Sequence, residues 1–345
     1  MFNPIAVTLP PALKTGRLEI RTDSVVAQVR MNNERARGVT YIERHTMKSV
    51  DVDAKYVILA ASTLENTRLL LLSAKGGLAN SSGTLGHYMM DQVGGGGVTG
   101  FLPVLKGGPS RLDDGKMAGI TIPALVNIDE KTQRKDFIRS YVMNATGGQT
   151  EYPRFAETLP GYGSAWKKAV KSHYVAQARV WIAGGEMLSR KENFVEIDPE
   201  VKDRWGIPVL KIHFTHCDND RKIIADFQER AEELFRKAGG EVMPSAPRGG
   251  PAGFPGGPGS PDAPAPNERR PRENVLGGSI HEVGTARMSV SPKDGVLNSF
   301  CQTHDIANLY VFGGNAFPST GDKHPTLTMM ALAARGCDHL VTSAR

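Results

Sequence analysis

Along residues 18–60 apolar and polar positions alternate in short runs rich in β-branched residues. The runs at 18–21, 24–31, 36–43 and 49–52 are separated by polar turns such as Asn32-Asn33-Glu34. Period-two alternation broken by turn residues predicts a β-meander. The next run, KYVILAA at 55–61, is nearly all apolar, the pattern of a strand buried on both faces. It leads into STLENTRLLLLS, where Ser62 and Glu65 have capping-box spacing and set a helix start at Ser62. A buried strand feeding a capped helix is a βα unit, whose turn is where α/β sheets bind ligands.

Residues 76–92 are rich in Gly and Ser and read as an ordered loop. In the GGGGVTG run that follows, Gly95, Gly97 and Gly100 satisfy GxGxxG. The match is rejected, because no buried strand precedes it and the following FLPVL does not open a helix. From 100 to 215 the runs GITIPALVNI, DFIRSYVMNA, HYVAQARVWIAG, NFVEID and PVLKIHFTH alternate with loops, predicting a largely antiparallel sheet. At 219–238 the period changes to that of a helix. Ile223, Ile224, Phe227, Ala231, Leu234 and Phe235 form its apolar stripe, and Gly239-Gly240 ends it. Residues 244–272 are dominated by Pro, Gly and Ala and should form a surface insertion that packs no core. The last segment reads as loop, buried strand within 306–317, turn, and a helix from Pro325 with Leu327, Met330, Ala331 and Ala334 on its apolar face. At the other end, Pro10-Pro11 suggests that MFNPIAVTLPPALKTG is extended at first.

Composition narrows the function classes. A chain of 345 residues can bury a sizeable core and suggests about two domains. The net charge of +6 is spread thinly. The one dense basic cluster, Arg269-Arg270-Pro271-Arg272, has no interleaved aromatic residues, which argues against nucleic-acid binding. Cys217, Cys301 and Cys337 are far apart and imply neither a disulfide framework nor a zinc site. No apolar run approaches a membrane span, and the N-terminus lacks the pattern of a secretory signal, so a cytoplasmic location is the default expectation.

The candidate chemistry lies in histidines. His281 stands in HEVGTARM and His324 in DKHPTLTMM, each among small or apolar neighbours. They are either core histidines with satisfied hydrogen bonds or a catalytic pair. A metal site is disfavoured, because no carboxylate or cysteine sits at ligand spacing near either. His213 and His216 fall on opposite faces of a β-like run, which weakens a metal pair there. His87 reads as a structural hydrogen-bonding residue, His304 as a turn residue, and Arg287 as an anchor for its own loop.

KYVILAASTLENTRLLLLS, NSSGTLGHYMMDQ, IHEVGTARM and NLYVFGGNAFPSTGDKHPTLTMMALAARGCDHL occur in the order found in the glucose–methanol–choline (GMC) oxidoreductases. The chain resembles the bacterial sugar, polyol and gluconate-type dehydrogenase large subunits of that family. LEIRTDSVVAQV and EIDPEVKDRWGIPVLKI are similar as well, so the resemblance covers nearly everything outside 244–272. It implies an α/β fold, α+β overall: part of a discontinuous FAD-binding Rossmann-like domain with an antiparallel substrate domain. Residues 1–98 and 273–345 would belong to the first, 99–243 to the second, and 244–272 to an insertion. The family's GxGxxG unit for the FAD pyrophosphate is not found in this sequence, so the chain looks like a C-terminal portion. His324 is a second departure, since the similar branch often has asparagine there and other branches have histidine.

The resemblance implies oxidation of a CH–OH group of a sugar, polyol or other small alcohol. His281 matches the family's general base and His324 the partner that orients the hydroxyl. Pro325 and Thr326 open a helix whose positive end would face the flavin. Gly314 and Asn315 fit cofactor contacts, and the Ala60-Ala61-Ser62 turn would sit near the adenosine half of FAD. The electron acceptor, whether quinone, cytochrome or oxygen, is left open. The competing expectation is a truncated, non-catalytic remnant or assembly module that needs a separate N-terminal FAD-binding chain.

Overall fold

The computed structural model describes residues 3–94, 97–106, 119–147, 156, 161–173, 176–242 and 280–343. The expected insertion at 244–272 lies outside the described residues. The N-terminus is helical rather than extended, with α1 at Pro4–Val7 and α2 at Leu9–Lys14. The prolines favour this outcome. They occupy first-turn positions, where a missing N–H costs nothing, and Asn3 Oδ1 caps α1 by accepting from Ala6 N at 2.8 Å.

The meander forms as β1 (Ser24–Asn32), β2 (Arg35–Glu43) and β3 (Ser49–Asp53), all antiparallel. Asn33 turns the first hairpin at φ +52°, a left-handed conformation that asparagine tolerates. The run at 18–21 is not a strand. It finds no pairing partner, and its side chains are mostly exposed.

Strand β4 (Val57–Leu59) leads into α3 (Thr63–Ser73), and Ser62 Oγ accepts from Glu65 N at 3.2 Å, as the capping pattern requires. β4 pairs in parallel with the C-terminal β12 (Leu309–Val311). The expectation of burial on both faces fails at Ile58, which is 44% exposed between buried Val57 and Leu59. Tyr310, the residue paired with Ile58, is 1% exposed with its ring against Phe312 and His339, so the exposure is confined to the β4 side of the pair. Asn308 fastens the pair to the meander: its side chain accepts from Ala36 N and donates to the Ala36 and Lys55 carbonyls at 2.7–3.0 Å.

A second body is built on a five-stranded antiparallel sheet. Its members are β5 (Gly97–Phe101), β6 (Ile120–Ile122), β7 (Tyr141–Gly147), β8 (Gln177–Gly185) and β11 (Glu241–Val242), in the order β11-β5-β8-β7-β6. Gly97 and Gly100 of the rejected glycine pattern lie within strand β5, and Gly95 lies outside the described residues. Helix α4 (Gly163–His173) accompanies this sheet in sequence, and α5 (Asp218–Lys237) seals it. Ile223, Ile224, Phe227, Ala231 and Phe235 are at most 2% exposed. Burying each large member stabilises by about 1.5–3 kcal/mol. The hairpin of β9 (Phe194–Lys202) and β10 (Pro208–His213) forms its own sheet and lies against α3. Arg68 of α3 reaches Asp203, Ile207 O and Pro208 O there at 2.7–2.9 Å.

The last helix, α6 (Thr326–Ser343), departs from expectation in its orientation. Leu327 is 76% and Met330 45% exposed, and Ala331 and Ala334 are exposed as well. Leu332, Ala333 and Leu340 pack on the core instead.

Candidate active site

The 76–92 loop, the HEVGTARM loop and the turn before α6 converge. Met90 and Val283 form an antiparallel bridge, with Met90 N to Val283 O at 2.9 Å and Val283 N to Met90 O at 2.8 Å. This bridge fixes His281 beside Asp91 and Gln92. Gly284 makes the approach possible: at φ +89°, a Cβ there would lie 2.2 Å from Tyr88 O. Arg287 pins the far end of the loop, its guanidinium 3.8 Å from the Tyr88 ring centroid and its Nε donating to Asp294 O at 2.9 Å.

His281 and His324 meet directly. His324 Nδ1 is 2.9 Å from His281 Nε2, and the rings cross at 71°. The other ring nitrogen, His281 Nδ1, is 2.7 Å from Gln92 Oε1. Asp91, buried, accepts from the backbone N–H of both Gln92 and His281 at 2.8 and 3.1 Å, which sets the loop. His281 is half-buried and His324 exposed. Burial holds the His281 pKa below its ordinary value; the neighbouring His324 charge adds to this and Asp91 opposes it. The imidazole therefore stays neutral to lower pH than a free one, as a proton acceptor needs.

The second half of the predicted set lies across the same loop. Thr63, the first residue of α3, donates Oγ1–H to Glu282 O at 2.6 Å, next to His281. Gly314 sits at this junction, where a Cβ would be 2.5 Å from Thr63 Oγ1 and 2.7 Å from Glu282 O. Ala60, Ala61 and Ser62 form an exposed turn, braced by Ala61 N donating to Asn66 Oδ1 at 2.9 Å. Asn315 behaves differently. It is fully buried, and its amide nitrogen donates to Thr63 O, Thr67 Oγ1 and Thr285 Oγ1 at 2.7–3.2 Å while its oxygen accepts from Asn66 Nδ2 at 2.9 Å. Its side chain clamps the turn from beneath rather than facing outward. Pro325 is buried, and Thr326 is exposed at the start of α6.

Thr63, Asn66, Thr67, Thr285 and Gln92 carry this geometry and were not singled out in the sequence. Thr63, Asn66 and Thr67 share the inner face of α3 with Leu70, and polar residues at i, i+3 and i+4 on a buried stripe are a readable signal. The four other histidines weighed in the sequence stay apart from this pair. His87 Nδ1 meets Lys191 O at 3.0 Å, His213 meets Glu196 at 2.9 Å, His216 lies 3.6 Å from Asp220, and His304 meets Ser289 Oγ at 3.2 Å. Among the described residues no group of three or more His, Cys, Asp or Glu could hold a metal ion, and no helix is long and apolar enough to cross a membrane.

Comparison with known proteins identifies the family of the chain. The chain is 29% identical to 2-methyl-1,2-propanediol dehydrogenase of Mycolicibacterium austroafricanum over 356 aligned positions, covering 99% of the chain and 57% of that protein. It is 24% identical to the fructose dehydrogenase large subunit of Gluconobacter japonicus, covering 85% of the chain and 48% of that subunit. The chain thus spans about half the length of these relatives. Its fold matches an FAD-dependent oxidoreductase from Chaetomium thermophilum with a TM-score of 0.57, at 16% identity over 97% of the chain and 64% of that structure. GMC oxidoreductase models match residues 5–94 with their N-terminal region and 189–333 with their C-terminal region, together more than half of the chain. The expectation that the N-terminal FAD-binding unit is missing is not confirmed, since residues 5–94 match the N-terminal model. FAD is the cofactor that goes with these proteins, and the chain belongs to the GMC oxidoreductase family.

Proposed function

We propose that this chain carries the proton-transfer half of an FAD-dependent oxidoreductase acting on the CH–OH group of a small alcohol or sugar. The observation that carries the reading is the 2.9 Å contact between His281 Nε2 and His324 Nδ1. Two imidazoles so close cannot both be charged without mutual repulsion, and burial already disfavours charge on His281. A substrate hydroxyl entering between the two nitrogens exchanges their contact for one hydrogen bond to each. His281 Nε2 then takes the hydroxyl proton, and His324 holds the oxygen. FAD, when bound, would supply the acceptor for the hydride that leaves the carbon bearing this hydroxyl.

The residues present fit such a group. The first-turn N–H groups of α6 have no intrahelical acceptors, and Thr326, Leu327 and Thr328 are exposed beside His324. An 18-residue helix directs its positive end there, a suitable neighbour for an electron-rich ring. Ala60, Ala61 and Ser62 offer an exposed βα turn on the other side of the Thr63–Glu282 junction. Gly314 lines that junction from below, and Asn315 holds the turn in place.

On this reading the phosphate-binding glycine turn comes from residues other than those described, in the same polypeptide or in a partner chain. The exposed Leu327 and Met330 of α6 and the exposed Ile58 support it, because each is a large apolar side chain that the described residues leave open to solvent. If that partnership is lacking, the chain acts as an assembly module and not as a catalyst. Substrates are small alcohols or sugars, and the terminal electron acceptor is a separate molecule. The division into flavin-domain segments (1–98 and 273–345) and a substrate domain (99–243) goes with the same reading.

The test is His281→Ala in the flavin-loaded enzyme. Turnover should fall by about 10²–10⁴, the range for a lost general base. Unchanged turnover would remove His281 from the role.

A further inference from the structure

Gln92 is 2% exposed and joins three segments at once. Its Nε2 lies 2.8 Å from Gly321 O and 2.7 Å from Lys323 O, in the turn that delivers His324. Its Oε1 lies 2.7 Å from His281 Nδ1. The two ends of an amide resemble each other in shape, but their partners here distinguish them. A backbone carbonyl only accepts, so the side that faces two carbonyls must be the nitrogen, with both N–H bonds spent there. A flipped amide would set its oxygen against two carbonyl oxygens. The oxygen therefore faces the imidazole, and an oxygen that only accepts requires a proton on Nδ1.

A neutral imidazole has one N–H. With Nδ1 protonated, the lone pair must be on Nε2, the nitrogen 2.9 Å from His324 Nδ1. That contact then reads in one direction, with His324 Nδ1–H donating to His281 Nε2. A single amide, held by the turn before α6, thus fixes which end of the imidazole is basic. We propose that Gln92 is a positioning residue that selects the Nδ1–H tautomer of His281 and so places the proton-accepting lone pair on Nε2. The proposal rests on the reading of His281 as the base. A purely structural role for Gln92 would consist of holding the Gly321–Lys323 turn and nothing more.

Two variants separate the roles. Gln92→Met removes the acceptor for Nδ1–H and the donors to the turn. Gln92→Glu also loses the paired donors to the turn but keeps an acceptor facing Nδ1–H. With the chain labelled with ¹⁵N-histidine, ring nitrogen shifts distinguish protonated from bare positions, and His281→Ala assigns the signal. The wild-type His281 should show Nδ1–H with bare Nε2. Gln92→Met should populate Nε2–H, and Gln92→Glu should keep Nδ1–H. In the flavin-loaded enzyme Gln92→Met should lower kcat on the order of tenfold, the worth of one good hydrogen bond, with KM within about twofold. Gln92→Glu should recover part of that loss. An Nε2–H signal in the wild type, which needs no variant to fold, overturns the proposal. So does an unchanged tautomer in Gln92→Met. If the spectra fail while His281→Ala abolishes turnover, only the role of Gln92 falls. If His281→Ala leaves turnover intact, the base reading falls and the proposal with it.

Discussion

Helices α5 and α6 are of similar length, 20 and 18 residues, and each carries an apolar stripe of helical period. α5 buries its stripe against the five-stranded sheet, with Ile223, Ile224 and Phe227 at 0% exposure. α6 turns its stripe outward, leaving Leu327 76% exposed, and rests on the core through Leu332, Ala333 and Leu340. Gly336 is its one buried residue among those described. A period of 3.6 identifies a helix, but what covers the stripe is decided by neighbouring elements. α5 has its sheet in the chain. α6 meets the core along its inner side, where Gly336 abuts Phe300 and Phe312 and the His339 ring stacks on Phe300.

The largest effect expected from this contrast is at Phe227. Phe227→Ala removes a fully buried ring that packs edge-on to Tyr141 at 6.2 Å, and it should cost about 3–5 kcal/mol. Urea unfolding of the two proteins measures it. A loss below about 1 kcal/mol would mean that α5 is not sealed by the sheet and that the contrast is false. The next effect belongs to the inner side of α6. A Cβ at Gly336 would lie 2.4 Å from Phe312 Cε1 and 2.7 Å from Phe300 O. Overpacking costs about 1–3 kcal/mol, against a gain of about 1 kcal/mol from alanine's better helix propensity. Gly336→Ala should therefore lower the thermal midpoint. A rise would show α6 only loosely seated.

The same contrast marks how far the sequence could be read. The α5 stripe, the Ser62 cap, the first hairpin and the pair His281–His324 depend on local spacing, or on residues whose chemistry stands out, and they were legible. The buried network of Asn66, Thr67, Thr285 and Asn315 was not, because it joins residues up to 249 positions apart through hydrogen bonds that leave no periodic trace. Gln92 escaped notice for the same reason: an amide is informative only once its partners are known. The N-terminal prolines misled because proline fits both an extended segment and a first helical turn, and the Asn3 cap decides between them.

A smaller effect concerns the N-terminal end of α6, where His324 adds its charge to the burial that lowers the His281 pKa. A lowered pKa keeps the base neutral below the usual histidine range, so the acid limb of kcat/KM should lie below about 6.5. The groups facing His281 are His324, Asp91 and the neutral Gln92. His324→Asn removes one of the two causes of the lowering, so the limb should move to higher pH. It should still lie below the ordinary value, because burial is the larger cause and exceeds the opposing effect of Asp91. A limb that moves to lower pH, or does not move, would break the electrostatic link between the two rings.

The smallest expected effect is the one that most sharpens the comparison. Leu327 has little contact to lose at 76% exposure, so in this chain Leu327→Ser should change stability by no more than about 0.5 kcal/mol. The proposed function assigns that face to a surface that becomes covered when the flavin site is complete. There the same substitution would remove buried apolar area and should cost about 1.5–3 kcal/mol. The informative quantity is the difference between the two measurements, since helix propensity is common to both and cancels. A cost above about 2 kcal/mol in the chain alone would show that the stripe is covered already. Equal, small costs in both forms would leave α6 an ordinary surface helix and remove the support that its exposed face lends to a completed flavin site.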